Sequence, residues 1–476
     1  MKSSHFGDLI FLAYLLQYSY VETLGKRVEY MRREMYVLEQ QAEEYALQLQ
    51  RMIQCKTVSV KDSYDDAEFA KLRDVMAELF PLVHRHAKKM TFSDDCWMYC
   101  LEGKDTSRNI MLMSHHDVVA VEGEWEYDGF SGEIAEGKIW GRGTVDTKTP
   151  LFAEFTALEE LLVEGFEPPC NVYIVSSHNE EIAGDGVPKT LEYFKEQGIT
   201  FEVILDEGGA VIDPPVGGMK VDKCAMVAVH EKGVYHLNCK AVSGTGHAGL
   251  TSGKKATPVE RMSAFIQEIN QKNIFIRRLN PQVSLMFTCM APHCNFPMNL
   301  VFGNLDLFGG ILTKIMPSIS SAAGGLLGTT CAFHEIKGSN EEKCCVAKAT
   351  LRPVDSTDWQ QDLQRFIDAA KKYDITVEVD EKSEYHEPAD VTKPQLAYTF
   401  ACIRKVFPEY PPIPMILPAG TDARHFTEIC PCVLRFAPIR LSAQQLASVH
   451  SENENIHLDA IADAVMFYRE FLRNYR

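Results

Sequence analysis

Histidines, aspartates and a glutamate pair sit in five short motifs spread from position 115 to position 450. The motifs are Ser114-His115-His116-Asp117, Gly141-Arg142-Gly143-Thr144-Val145-Asp146, His178-Asn179-Glu180-Glu181, Leu205-Asp206-Glu207-Gly208-Gly209 and His450-Ser451-Glu452-Asn453-Glu454. Imidazole nitrogen and carboxylate oxygen are the donors a zinc-like ion takes when no thiolate is offered, and a catalytic site keeps one position open to water. His115, Asp146, Glu181, Asp206 and His450 supply such donors for two divalent ions. If Asp146 bridges, each ion receives one histidine, one carboxylate of its own and a share of the bridge. Four positive charges then face three carboxylates, and a bridging hydroxide cancels the remainder.

Glu180 reads as the general base. Neighbouring residues leaving a strand point in different directions, so Glu181 can hold metal while Glu180 faces the water. Asp117 follows His115 by two residues, on the same side of a strand, where it can accept a hydrogen bond from the ring or its surroundings and fix its orientation. His116 alternates to the opposite face and is set aside. Singly, each motif also fits a duller explanation. A histidine at a strand end is usually structural, a glutamate pair is usually a solvated face, and the glycine motifs suit turns and loop exits. Their combination in one chain is what counts.

Five separated motifs need a sheet that gathers them. Leu38, Ala42, Tyr45, Leu49 and Ile53 recur at helical spacing, which predicts an amphipathic helix from about Tyr30 to Ile53. Strands over Ile110 to Met113, Asn171 to Ser176 and Phe201 to Leu205 then alternate with helices over Pro150 to Glu164 and Lys189 to Gln197, the rhythm of an α/β sheet covered by helices. Thr149-Pro150 fits an N-cap with proline at the first helical position. The acidic pair and Asp206 come directly after strands, and ligands collect beyond the carboxyl ends of strands in such sheets.

Near Lys232 the pattern changes. A strand over Val234 to Val242, a helix over Pro258 to Asn270, strands over Cys331 to Ile336 and Val346 to Leu351, a helix over Trp359 to Tyr373 and a strand over Ile375 to Val379 make a split β-α-β, ferredoxin-like unit. It is inserted, because His450 must return to the earlier sheet. The expected division is an appendage over 1–29, a catalytic domain over 30–230 and 388–476, and the inserted α+β domain over 231–387. Inside the insert lies an apolar, glycine-dotted stretch that includes Phe296-Pro297-Met298-Asn299-Leu300.

The chain has 476 residues, 46% of them hydrophobic, enough for two cores. Its 66 acidic and 48 basic residues give a net charge of -18, which repels phosphate backbones and anionic headgroups; neither nucleic acid nor a membrane is an expected partner. Fourteen cysteines without a Cys-x-x-Cys pair predict free thiols in a reducing compartment. The apolar run Leu9 to Leu16 falls short of the about 20 residues a membrane helix needs, and no cleavage pattern follows it. A cytoplasmic protein is expected.

The motifs resemble those of the di-zinc metallopeptidase family that includes aminoacylase, acetylornithine deacetylase, succinyl-diaminopimelate desuccinylase, carnosinase and the Gly-X carboxypeptidases, from about Arg51 to the C-terminus. The resemblance implies a zinc-peptidase-like mixed sheet flanked by helices, with the insert as lid and homodimer surface. It implies two divalent ions, zinc first and manganese or cobalt as alternatives: His115, Asp146 and Asp206 on one, Asp146, Glu181 and His450 on the other. Glu180 is then the base and Asp117 the orienting carboxylate. By the same likeness His247 polarises the scissile carbonyl, Arg352 of Thr350-Leu351-Arg352-Pro353 grips the substrate carboxylate, and Gly420 and Thr421 line the substrate pocket. Asn179 in place of aspartate, Thr149-Pro150 in place of glycine after Lys148, and Gly249-Leu250 after His247 depart from the family pattern; none removes a ligand or the base.

The activity so implied is hydrolysis of an amide or peptide bond in a small peptide or N-acyl amino acid with a free carboxylate. The chain is most similar to the Gly-X carboxypeptidase and N-acyl-amino-acid hydrolase branch, and the expected activity is that of a carboxypeptidase, a dipeptidase or an N-acyl-amino-acid amidohydrolase. Two alternatives stand beside it: a deacetylase or desuccinylase of a small biosynthetic N-acyl amino acid, and a non-catalytic binder of peptides or amino acids. The second is expected to lose ligands or base, and this chain keeps them.

Overall fold

The computed structural model describes residues 39–242, 257–272, 274–319, 321–339, 342–354, 356–382 and 385–476. The expected appendage over 1–29 and the start of the first helix lie outside them; residues 39–53 are helical.

Two sheets carry the architecture. In the larger, nine-stranded among the described residues, Asp105–His115 lies between Cys170–Ser177 and Val203–Asp206 and runs parallel to both. Val433–Arg435 follows, parallel to Val203–Asp206. Cys96–Leu101 and Lys88–Phe92 extend one side antiparallel, while Cys224–Glu231 and Pro412–Leu417 extend the other. Cys170–Ser177 and Cys224–Glu231 are buried at every position, as strands covered on both faces must be. On one face the helix over 39–53, Lys148–Val163 and Leu458–Asn474 share a core that includes Leu49, Phe152, Phe155, Ile461, Val465 and Phe467. On the other, Phe194 of Gly186–Gln197 packs with Phe201 and Phe426.

The start of Lys148–Val163 corrects one expectation. Thr147, not Thr149, occupies the cap position, and it makes no side-chain cap bond. Thr149 lies inside the first turn and donates its hydroxyl to the Thr144 carbonyl at 2.5 Å. Pro150 is tolerated there because first-turn amides have no partner within the helix.

The smaller sheet has the order Thr330–Ser339, Cys344–Arg352, Tyr235–Val242, Ile375–Lys382, antiparallel throughout. Pro258–Gln271 and Ser356–Lys371 supply Phe265 and Phe366 to its core beside Leu237 and Ala347. All its strands fall between residues 235 and 382, whereas the larger sheet draws strands from both sides of that span. The α+β unit is thus inserted in an α/β fold.

The apolar stretch of the insert is helical: Pro281–Met290, Met298–Phe302, Leu305–Ile319 and Ser321–Leu326. Val283, Met286, Met290 and Phe302 bury against Cys224, Met226, Ile413 and Ile416, so these helices cover the outer strands of the larger sheet. A third sheet joins Glu133–Ala135, Lys138–Trp140 and Asn455–His457. It pairs Asn455 with Trp140 and so fastens the chain before Arg142 to the chain after His450.

Candidate metal centre

His115 and Asp206 end two adjacent parallel strands whose register pairs Leu112 with Leu205, so both emerge on one rim. Glu180 and Glu181 open the turn after Cys170–Ser177, and Asp146 immediately precedes the Thr147 cap of Lys148–Val163. His450 reaches the rim from a loop, with a left-handed φ of 58°. Asp146 stands at the centre. Its Oδ1 is 2.9 Å from His115 Nε2 and its Oδ2 3.1 Å from His450 Nε2, which is also 2.9 Å from Glu181 Oε2. Among the described residues, His115, Asp146 and Glu181 offer ligand atoms that all lie within 4.8 Å of one another. Asp206 is not in that group; its Oδ2 accepts the Ala423 N–H at 3.0 Å beside it.

Two carboxylates hold this rim from behind. Asp117, fully buried, accepts the Glu180 N–H at 3.2 Å on Oδ1 and the Glu181 N–H at 3.1 Å on Oδ2, where the Ser59 hydroxyl also donates at 2.6 Å. His115 Nδ1 lies 3.0 Å from the Asp117 carbonyl oxygen and 3.3 Å from Oδ1. One side chain therefore sets both the imidazole and the backbone of the acidic pair. Glu454 does the same for the bridge. Its Oε1 accepts the N–H groups of Gly143, Val145 and Asp146 at 3.1, 2.7 and 3.2 Å, and its Oε2 pairs with Arg142 Nη1 at 2.6 Å. Gly143 has a φ of +90°, and a Cβ there would stand 2.9 Å from Val118 Cγ1.

The sequence reading gave Glu454 no role. Its only trace was that one motif ends in a glutamate and another contains Arg142. Glu207 was also passed over; burial pushes its carboxyl well up, and the charges of Asp146 and Asp206 push the same way. His116 lies buried below the rim, stacked on Trp97 with ring centroids 3.9 Å apart and Nδ1 2.9 Å from Ser176 Oγ.

The electrostatics fit a cation site. Hydrogen bonds to Asp146 and Glu181 push His450 up to about 10. Burial works against a charge on His115, yet its bonds to Asp117 and Asp146 raise it well above the usual range. Burial likewise pushes Asp146 up, and the two histidines outweigh it and hold the carboxyl below its ordinary value. The cluster thus draws positive charge to itself. Glu181 Oε1 is buried without a hydrogen-bond partner, a further free donor of the type divalent ions take. Glu180 lies next to it, its carboxyl pushed well up, first by burial.

Arg352 ends Cys344–Arg352 and meets Gly420 in one small pocket, with Lys232, Trp359, His386 and Arg424 around them. A Cβ on Gly420 would stand 2.6 Å from Arg424 Nη1, so the guanidinium lies directly over the glycine. The Thr421 N–H donates to Glu231 Oε2 at 3.1 Å. The structure brings Arg352, Gly420 and Thr421 to the same region from two separate sheets. His247 and Gly249-Leu250 lie outside the described residues.

A probable carboxypeptidase S-like 2 of Dictyostelium discoideum is 29% identical over 450 residues, covering 90% of this chain and 85% of its own. An N-fatty-acyl-amino acid synthase/hydrolase of Xenopus tropicalis is 29% identical over 372 residues, covering 76% and 72%. In fold the chain is similar to human carnosine dipeptidase 1, with a TM-score of 0.64 at 16% identity over 92% of this chain and 97% of that one. A metallo-carboxypeptidase of Sulfolobus solfataricus gives 0.63 at 18% identity, over 90% and 98%. Residues 111–474 match the peptidase family M20/M25/M40. That span contains every motif of the rim, and the chain belongs to this family, as a metal-dependent hydrolase of amide or peptide bonds.

Proposed function

We propose that the chain hydrolyses N-acyl amino acids with a free carboxylate, using two divalent ions, zinc first, held by His115, Asp146, Glu181, Asp206 and His450. The observation that carries this is Asp146 set between two histidines, with Glu181 beside it and Glu180 on the same turn. When bound, the ions polarise the scissile carbonyl and lower the pKa of water. Glu180 takes the proton from that water and delivers it to the departing amine nitrogen. A carboxyl raised by burial suits both halves of this task. Asp117 keeps His115 and the acidic pair in place. Arg352 grips the substrate carboxylate with paired N–H groups, Gly420 and Thr421 line the pocket, and His247 polarises the carbonyl.

In this reading the unit over 231–387 is the lid and the surface of a homodimer, and 388–476 completes the catalytic domain begun at 30–230. The synthase/hydrolase relatives, named for fatty-acyl amino acids, favour an aliphatic acyl group over a second amino acid. Fourteen free thiols favour a reducing compartment, hence the cytoplasm. No described helix is long and apolar enough to cross a membrane.

The test is metal content together with hydrolysis of a panel of N-acyl amino acids and dipeptides, with and without chelator. About two metals per chain and chelator-sensitive release of a free amino acid from the N-acyl substrates are expected. Turnover of dipeptides alone would move the substrate to peptides, and a chain that binds no metal would overturn the site.

A further inference from the structure

Most described arginines face a carboxylate, from Arg73 and Arg108 near the surface to the buried Arg142 and Arg435. Arg352 and Arg424 break that habit. Both are half-buried, and among the described residues neither guanidinium makes an ion pair or a hydrogen bond. Arg85, Arg277, Arg404 and Arg476 also lack a carboxylate, but they are exposed. Arg424 acts on Glu231 and Asp422 only at a distance, without an ion pair to either. Burial, and then the charge of Arg424, pushes the Arg352 guanidinium below its ordinary range.

The two arginines line one pocket with Lys232, and Glu231 is the acid on its wall. Glu231 is already engaged: its Oε2 accepts the Thr421 N–H at 3.1 Å and Arg435 Nε at 3.2 Å. Lys232 donates to the Gly328 carbonyl at 3.1 Å. Burial, and then Arg424, pushes His386 down to about 4, so its ring is neutral at neutral pH. Three cations therefore share the pocket with one occupied carboxylate. A substrate carboxylate gripped by Arg352 through paired N–H groups turns both oxygens to that guanidinium and leaves Arg424 without an acceptor. A second anion relieves the like charges that burial makes costly.

We propose that the amino acid released by this chain is dicarboxylic: Arg352 grips the α-carboxylate and Arg424 the side-chain carboxylate of an aspartate or glutamate. This rests on the N-acyl amino acid reading above and adds the side chain that reading leaves open. Val234 and Trp359 wall the pocket and suit a methylene stem, and Gly420, having no Cβ, lets Arg424 lie over the backbone. The acyl group lies across the scissile bond and keeps its aliphatic assignment.

Two measurements on the zinc-loaded full chain test this. The first is kcat/KM for N-acyl glutamate and aspartate against N-acyl glutamine and asparagine, amides of the same shape. The wild type should prefer the acids on the order of 10²-fold, the effect of a desolvated charge pair over its neutral counterpart. Arg424→Gln should abolish that preference, and Arg424→Lys should keep part of it. The second is calorimetric binding of free glutamate and free glutamine, which needs no turnover. Glutamate should bind more tightly to the wild type, and the two should bind alike to Arg424→Gln. Equal treatment of acid and amide by the wild type would overturn the proposal, and this comparison decides even where a variant fails to fold. So would an equal fall for both in an Arg424→Gln chain with unchanged metal content and unfolding midpoint, because Arg424 would then share the α-carboxylate. If no N-acyl amino acid is hydrolysed, the functional reading fails while the glutamate titration still decides this inference.

Discussion

The metal rim and the Leu305–Ile319 helix answer opposite demands on side chains. At the rim, Asp117 and Glu454 are buried and each carboxylate is tied to backbone amides on a segment far away in sequence. On the helix, Leu307, Ile311 and Ile315 project from a backbone fixed by its other face. Rim residues are held so that a reaction finds them in register; helix residues are left free to meet something outside the fold. Removing a rim contact should therefore be costly, and removing an exposed helix side chain should matter only for contact with a partner.

The largest expected effect is on Glu180. Glu180→Gln should lower turnover on the order of 10²–10⁴-fold while metal content stays unchanged; retained activity would remove Glu180 from the proton transfer. Next is Glu454→Ala, which leaves the Arg142 charge and three amides without their acceptor. A loss of about 3–5 kcal/mol in a denaturant titration is expected, and a loss below about 1 kcal/mol would put this clamp with ordinary surface pairs.

Acid should also act from below the rim. Burial pushes His116 down to about 4, so the folded state favours the neutral ring. The stability this contributes is fully present above about pH 6.5 and is lost as the pH falls towards 4, by at most about 3 kcal/mol. His116→Gln should flatten the denaturation midpoint over that window; an unchanged slope would assign the acid response to other groups.

Asp117→Asn should weaken metal affinity or activity by about 10–100-fold, because the amide supplies one acceptor where two are used. Loss of metal beyond what the accompanying loss of stability explains is the pattern to look for by metal analysis alongside thermal unfolding. Smallest is Leu307→Ser. At 75% exposure it should change stability by less than about 0.5 kcal/mol, and a larger loss would mean that the side chain packs within the fold after all.

Much of the fold was legible in the chain. Cys170–Ser177 shows itself by the apolar run Val172 to Val175, and the inserted unit shows itself because its alternation of strands and helices interrupts the first pattern. Cys224–Glu231 and Pro412–Leu417 were missed. The first ends in His230 and Glu231, and the second carries two prolines, signals that usually argue against a central strand. Pro412–Leu417 tolerates them because it lies at the end of the sheet path.

By itself the sequence determined the donor types, their order, and the helix and strand periods that set them near strand ends, because these are properties of short windows. Only the tertiary structure decided that Glu454 would reach the amides around Asp146, that Asp117 would brace His115 and the acidic pair together, and that the apolar insert would fold onto the larger sheet with one row of side chains left outside. A local pattern records which face of an element is apolar or charged. Which distant amide or sheet that face will meet depends on how the whole chain packs.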